Sequence, residues 1–173
     1  MILKSIDLSL MSEHMNVHKG QVEKLANYYC AAKDMELKEI IYNQYLIMKN
    51  HVKVMLLLMD PNQNESITSE MLKKVVPTEI PCQSLSIQMS EQAIATEGKN
   101  TAKTMAHDNF ASALMMKANN VRDIHIHMAL QQVMIQERYN KFTEKKKYEM
   151  APTTTMQTQV ETMQNFKKMY NIE

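Results

Sequence analysis

From Asp34 to Met59 the apolar residues Leu37, Ile40, Ile41, Tyr45, Met48, Val52, Met55 and Met59 recur at helical spacing. Such a stripe lines one side of a helix, while Glu36, Lys38, Lys49 and Lys53 fall mostly off it and face water. A helix of this length is roughly 37 Å long and needs partners of similar length to bury the stripe. The preceding stretch, 8–33, supplies one. Met11, Met15, His18, Val22, Leu25, Tyr29 and Ala32 alternate at steps of four and three, a seam suited to antiparallel packing. Gly20 lies inside that seam at a cost of about 1 kcal/mol against alanine. Asp34 is placed to cap the second helix, so the connection is short and the two helices form a hairpin, 8–59.

Asp60-Pro61-Asn62-Gln63-Asn64 ends the hairpin with turn-forming residues. The segment 60–88 reads as a crossover, with a short helix over 66–76 and an extended piece between Pro77 and Pro81. It is long enough to return the chain along a bundle. A second hairpin, 89–147, follows. Its third helix, 89–117, turns Ile94, Ala102, Met105, Ala106, Phe110, Ala113 and Met116 inward. Its fourth, 121–146, does the same with Val121, Ile124, Met128, Ile135, Tyr139 and Phe142. After Pro152 a fifth amphipathic helix, within 152–171, carries Met156, Val160, Met163, Phe166 and Tyr170 on one face. The hairpins echo each other: Cys30–Ile40 superposes on Leu114–Ile124 with a shift of 84 residues. Two helix pairs joined by a long crossover make an all-α, ferritin-like antiparallel four-helix bundle with a C-terminal fifth helix.

Composition agrees. Two glycines, four prolines and no tryptophan in 173 residues remove the usual turn signals of β-rich chains and fit one helical domain. A net charge of +1 supplies no field for nucleic acid, and Lys145, Lys146 and Lys147 suit a helix end. No apolar run reaches the roughly 20 residues of a membrane span, and no apolar export signal opens the chain, so neither membrane insertion nor secretion is expected. Cys30 reads as a small buried hydrophobe, and Cys82, in a loop, as an exposed thiol able to cross-link chains.

The bundle topology calls for a test of the di-metal constellation, which needs inward Glu-x-x-His pairs. None occurs: Glu39 is followed three residues later by Tyr42, and Glu137 by Asn140. Neither a glycine-rich phosphate loop nor a nucleophile motif is present. No catalytic residue, cofactor or metal is therefore expected. The alternative is a metal-binding or redox bundle using His14, His18, His51, His107 or His125, should several meet at one level. The eighteen methionines fall mostly at core spacings and read as packing rather than copper ligands.

Residues 12–56 and 90–150 resemble the spore coat protein F family of endospore-forming bacteria, over about 110 of the 173 residues. The resemblance rests on a helix, a short Asn-type break, a helix start containing Arg122, and an aromatic end near Phe142 and Tyr148. The chain departs from the family at Lys147, where a glycine is usual, and in the extension 152–173. The resemblance implies a ferritin-like, non-catalytic structural component of the spore coat, made in the cytoplasm of the sporulating cell. Its expected partners are copies of itself, through the fifth-helix residues Met156, Val160, Met163, Phe166 and Tyr170, and other coat proteins.

Overall fold

Asp34 starts the second helix as its position suggests: its Oδ1 accepts from the backbone N–H of Glu36 (2.9 Å) and Leu37 (3.2 Å). Only three residues separate α1 (Ser5–Ala31) from α2 (Met35–Met59). Ser90 plays the same part for α3 (Glu91–Met115), its Oγ accepting from Ala93 N at 3.1 Å. A second three-residue break leads into α4 (Asn119–Lys145), and α5 (Met156–Tyr170) closes the chain. The structure, a computed structural model, describes residues 2–63, 66–82 and 88–172. Residues 64, 65 and 83–87 of the expected crossover lie outside the described residues. Among the described residues there is no strand, and the fold is all-α.

The short helix expected over 66–76 is a single 3-10 turn, Ser69–Lys73. Asn50 on α2 anchors it, donating from Nδ2 to the carbonyls of Met71 (3.0 Å) and Leu72 (2.9 Å). Two carboxylates tie the hairpins together. Asp7, buried near the start of α1, accepts from the free N–H groups of Lys117 (2.7 Å) and Ala118 (3.1 Å) at the α3–α4 break. Glu91, at the start of α3, accepts from Lys33 (2.7 Å) and Asp34 (3.3 Å) at the α1–α2 break. The 84-residue shift carries Asp7 onto Glu91, Lys33 onto Lys117 and Asp34 onto Ala118. Each hairpin thus satisfies the backbone donors that the other leaves open, and α1 runs antiparallel to α3.

The core has two apolar parts. One gathers Leu25, Leu37, Ile41, Met105, Tyr139 and Phe142 towards the α1–α2 break; the other gathers Met11, Val54, Met55, Leu72, Val121 and Met128 towards the α3–α4 break and the 3-10 turn. Phe110, expected inward, is half exposed, and its neighbour Asn109 is buried in its place. The seam through Ala102, Met105, Asn109 and Ser112 steps by three and four, which leaves Phe110 about 100° round the helix. Gly98 does more than tolerate its helix: a Cβ there would stand 2.5 Å from Cζ of Tyr139, so glycine lets that ring lie against α3.

The cysteine expectation is corrected. Cys82 is not a free thiol for cross-linking chains but is bonded to Cys30 of the same chain, and Cys30 is half-buried rather than a core hydrophobe. The bond fastens the crossover to the end of α1. Closing a separation of 52 residues stabilises by about 4 kcal/mol in the chain-entropy picture.

Candidate functional site

Four of the five histidines singled out from the sequence meet inside the bundle. His14 and His18 come from α1, His51 from α2 and His125 from α4; all four are buried. Their rings form a connected series: His125 to His14 at 5.3 Å between centroids, His14 to His18 at 6.2 Å, and His18 to His51 at 5.7 Å. His107 does not join them. It lies on the outer face of α3, 79% exposed, beside Asp108. From α3 the layer receives Ser112, whose Oγ is 2.8 Å from His14 Nε2.

The hydrogen bonds fix the tautomers. His18 Nδ1 lies 2.7 Å from the carbonyl of His14, and His125 Nδ1 lies 2.9 Å from that of Val121, each one helical turn back. A carbonyl only accepts, so both Nδ1 atoms carry the hydrogen and both Nε2 atoms hold a lone pair. His51 is set from outside its helix. Gln131 gives its Nε2 hydrogen to the carbonyl of Leu72 (3.0 Å), which turns its Oε1 towards His51 Nε2 (2.8 Å). That nitrogen therefore donates, and His51 Nδ1 holds the lone pair. His18 Nε2, His51 Nδ1 and His125 Nε2, together with Asn109 Oδ1, are buried and have no hydrogen-bond partner among the described residues.

Burial keeps these rings neutral. It lowers His18 to about 4, partly opposed by the His14 carbonyl and reinforced by the His14 and His125 rings. It lowers His51 to about 3, with His18 adding to the effect, and His125 to about 4, opposed by the Val121 carbonyl. His14 is lowered too, again by burial, while Asp108 and Glu13 pull the other way. Those carboxylates line a cleft of about 230 Å³ between α1 and α3, with His14 and Ser112 on its walls.

Chemically, the layer offers neutral imidazole lone pairs and the Ser112 hydroxyl held against His14. Asp7, the carboxylate whose charge reaches His125, is engaged by Lys117 and Ala118. Glu39, tested above for a Glu-x-x-His role, is exposed and paired with Arg138 at 2.9 Å. As the side chains stand, no three His, Cys, Asp or Glu groups among the described residues are arranged to hold a metal ion. The sequence reading missed Ser112, whose contact with His14 spans 98 residues and leaves no local signal.

The fifth-helix candidates have a different setting. Thr155 caps α5 through Oγ1 to Thr158 N (3.1 Å), and Asn171 ends it in the left-handed region at φ 53°. Met156, Val160, Met163, Phe166 and Tyr170 are all exposed, α5 contains no buried residue, and it makes no extensive packing contact with the bundle. No helix among the described residues is long and apolar enough to cross a membrane.

No family model, no curated protein and no solved structure matches this chain.

Proposed function

We propose that the protein is a non-catalytic structural unit of the bacterial spore coat, built on a ferritin-like bundle, which associates with copies of itself through α5. The observation that carries the reading is the exposed apolar face of α5. An isolated helix of 15 residues is marginal in water, so a well-capped one with Met163 and Phe166 facing solvent calls for a partner surface. A surface of matching chemistry lies on α4, where Leu130, Val133 and Met134 are exposed at i, i+3 and i+4. Beside them a cleft of about 360 Å³ between α2 and α4 is lined by Ile47, Met134 and Ile135. The resemblance of the two hairpins to coat protein F supplies the setting, and the near-zero net charge does not oppose close assembly.

Light scattering on the full chain and on a chain lacking 152–173 tests association. The reading expects an oligomer that falls to monomer on truncation, and also in Val160→Glu/Phe166→Glu. A full chain that is monomeric at high concentration, or an oligomer indifferent to both changes, contradicts it. A fluorescent fusion in sporulating cells tests the location: signal spread through the cytoplasm after coat assembly contradicts the coat assignment.

A further inference from the structure

We propose that Cys30 and Cys82 form a redox-closed latch, which leaves the crossover segment 74–82 loose in the thiol form and fastens it on oxidation. Residues 74–82 contain no helix, and among the described residues no backbone–backbone hydrogen bond involves 76–82. The bundle grips the segment at few points. Tyr42 on α2 donates to the carbonyl of Thr78 (3.2 Å), and Ile80 is the one buried side chain of 74–82. Val76 is exposed, and a cleft of about 180 Å³ lies between Val76 and Thr78 on one side and Leu46, Lys49 and Asn50 of α2 on the other. The firmer ties fall outside the segment. Asn50 and Gln131 hold the carbonyls of Met71 and Leu72 before it, and Ser90 caps α3 after it. Between those anchors the Cys30–Cys82 bond is the chief fastening. A stretch with so few buried contacts opens locally once released, while the helices stay packed.

The setting of the two sulfurs gives the latch a direction. Cys82 is exposed, whereas Cys30 is half-buried in the last turn of α1, which carries no basic residue. The negative end of the helix dipole disfavours a thiolate there. Cys82 is therefore the sulfur that a partner molecule meets first. The oxidant is a small-molecule or protein disulfide. The Cys82 thiolate attacks one of its sulfurs and expels a thiolate; Cys30, once deprotonated, attacks the Cys82 sulfur of the mixed disulfide and expels the second. The two cysteines lose two electrons and two protons, and the oxidant leaves as two thiols. In the reverse direction Cys30 is a poor leaving group, so the closed latch resists reopening.

The timing of closure rests on the coat reading; the latch itself does not. A cytoplasm keeps thiols reduced, so a chain made there folds with the segment loose. The bond closes after the assembled coat meets an oxidising medium. Closure then ties the crossover to the end of α1 and seats Ile80 against the bundle.

The test is digestion of the full chain with a Glu-specific protease, which cuts after Glu79, beside the buried Ile80. The disulfide form is compared with wild type reduced by a phosphine and with Cys30→Ser/Cys82→Ser. The expected result is cleavage after Glu79 at least tenfold faster in both forms that lack the bond. Cleavage after Glu161 on α5 should be unchanged, and the helical circular dichroism retained. Equal rates after Glu79 overturn the latch, because other contacts then hold the segment. Loss of the helical signal on reduction overturns it as well, because the bond then holds the whole bundle. Maleimide labelling of the chain from sporulating cells and from mature spores reads the timing. Two free thiols early and none late are expected, and a bond already closed in the cytoplasm overturns the timing. A fusion that never enters the coat overturns the coat reading and leaves the digestion result standing.

Discussion

Two of the polar groups that the bundle buries are finished differently. On the side of the α1–α2 break, Tyr139 donates to Gln44 Oε1 (2.9 Å), Gln44 Nε2 to Gln132 Oε1 (3.4 Å) and Gln132 Nε2 to the sulfur of Met48 (3.2 Å). Each member finds a partner, and Gly98 makes room for the tyrosine at its centre. In the histidine layer, three ring nitrogens find none among the described residues. A completed network serves the fold by holding α2 and α4 in one register. An incomplete one weakens the fold, because each buried atom without a partner has given up its hydrogen bonds to water.

Acid separates the two groups most strongly. A histidine whose folded pKa lies below its unfolded value adds stability that is whole above about pH 6.5 and is lost as pH falls through the folded value. For His18 and His125, lowered from 6.5 to about 4, the loss is on the order of 3 kcal/mol each. Denaturant melts between pH 7.5 and 4 should therefore fall steeply, and His18→Leu/His125→Leu should flatten that fall. A double variant with the wild-type pH slope would remove the neutral, buried rings from the account.

Breaking the completed network comes next. Tyr139→Phe leaves Gln44 Oε1 without its donor and should cost roughly 1–3 kcal/mol at neutral pH. Gly98→Ala drives a methyl group into the Tyr139 ring, for a loss of about the same size. Both are read from urea midpoints, and a neutral outcome for Tyr139→Phe would mean that the glutamine pair is satisfied without it. The smallest effect belongs to His18→Leu alone. It removes an unpartnered nitrogen and a bond to a carbonyl inside α1, so at pH 7.5 stability should stay within about 1 kcal/mol of wild type or rise. A loss as large as that of Tyr139→Phe would erase the contrast between the groups.

Periodicity made the helices legible because it reports which side of a rod is apolar. The seam through Met11, His18 and Leu25 and the stripe through Leu37, Ile41, Met48 and Met55 are buried where their spacing put them. Periodicity says nothing of height along the rod, so His107 looked as good a candidate as His125 until the helices were placed side by side. It also blurs at the edge of a stripe, where Phe110 and Asn109 exchanged roles. The pairing of Cys30 with Cys82 and the reciprocal bonds of Asp7 and Glu91 join residues far apart in sequence, which no local pattern encodes. The 84-residue echo was the one trace of that long-range order.

Protonation and tautomer of the buried rings are the most direct measure of the difference between the two groups. Two-dimensional 15N correlation of the protein at pH 7 reads both for each histidine. The account predicts neutral rings, with hydrogen on Nδ1 of His18 and His125 and on Nε2 of His51. Imidazolium signals from these residues, or hydrogens on the opposite nitrogens, would contradict it.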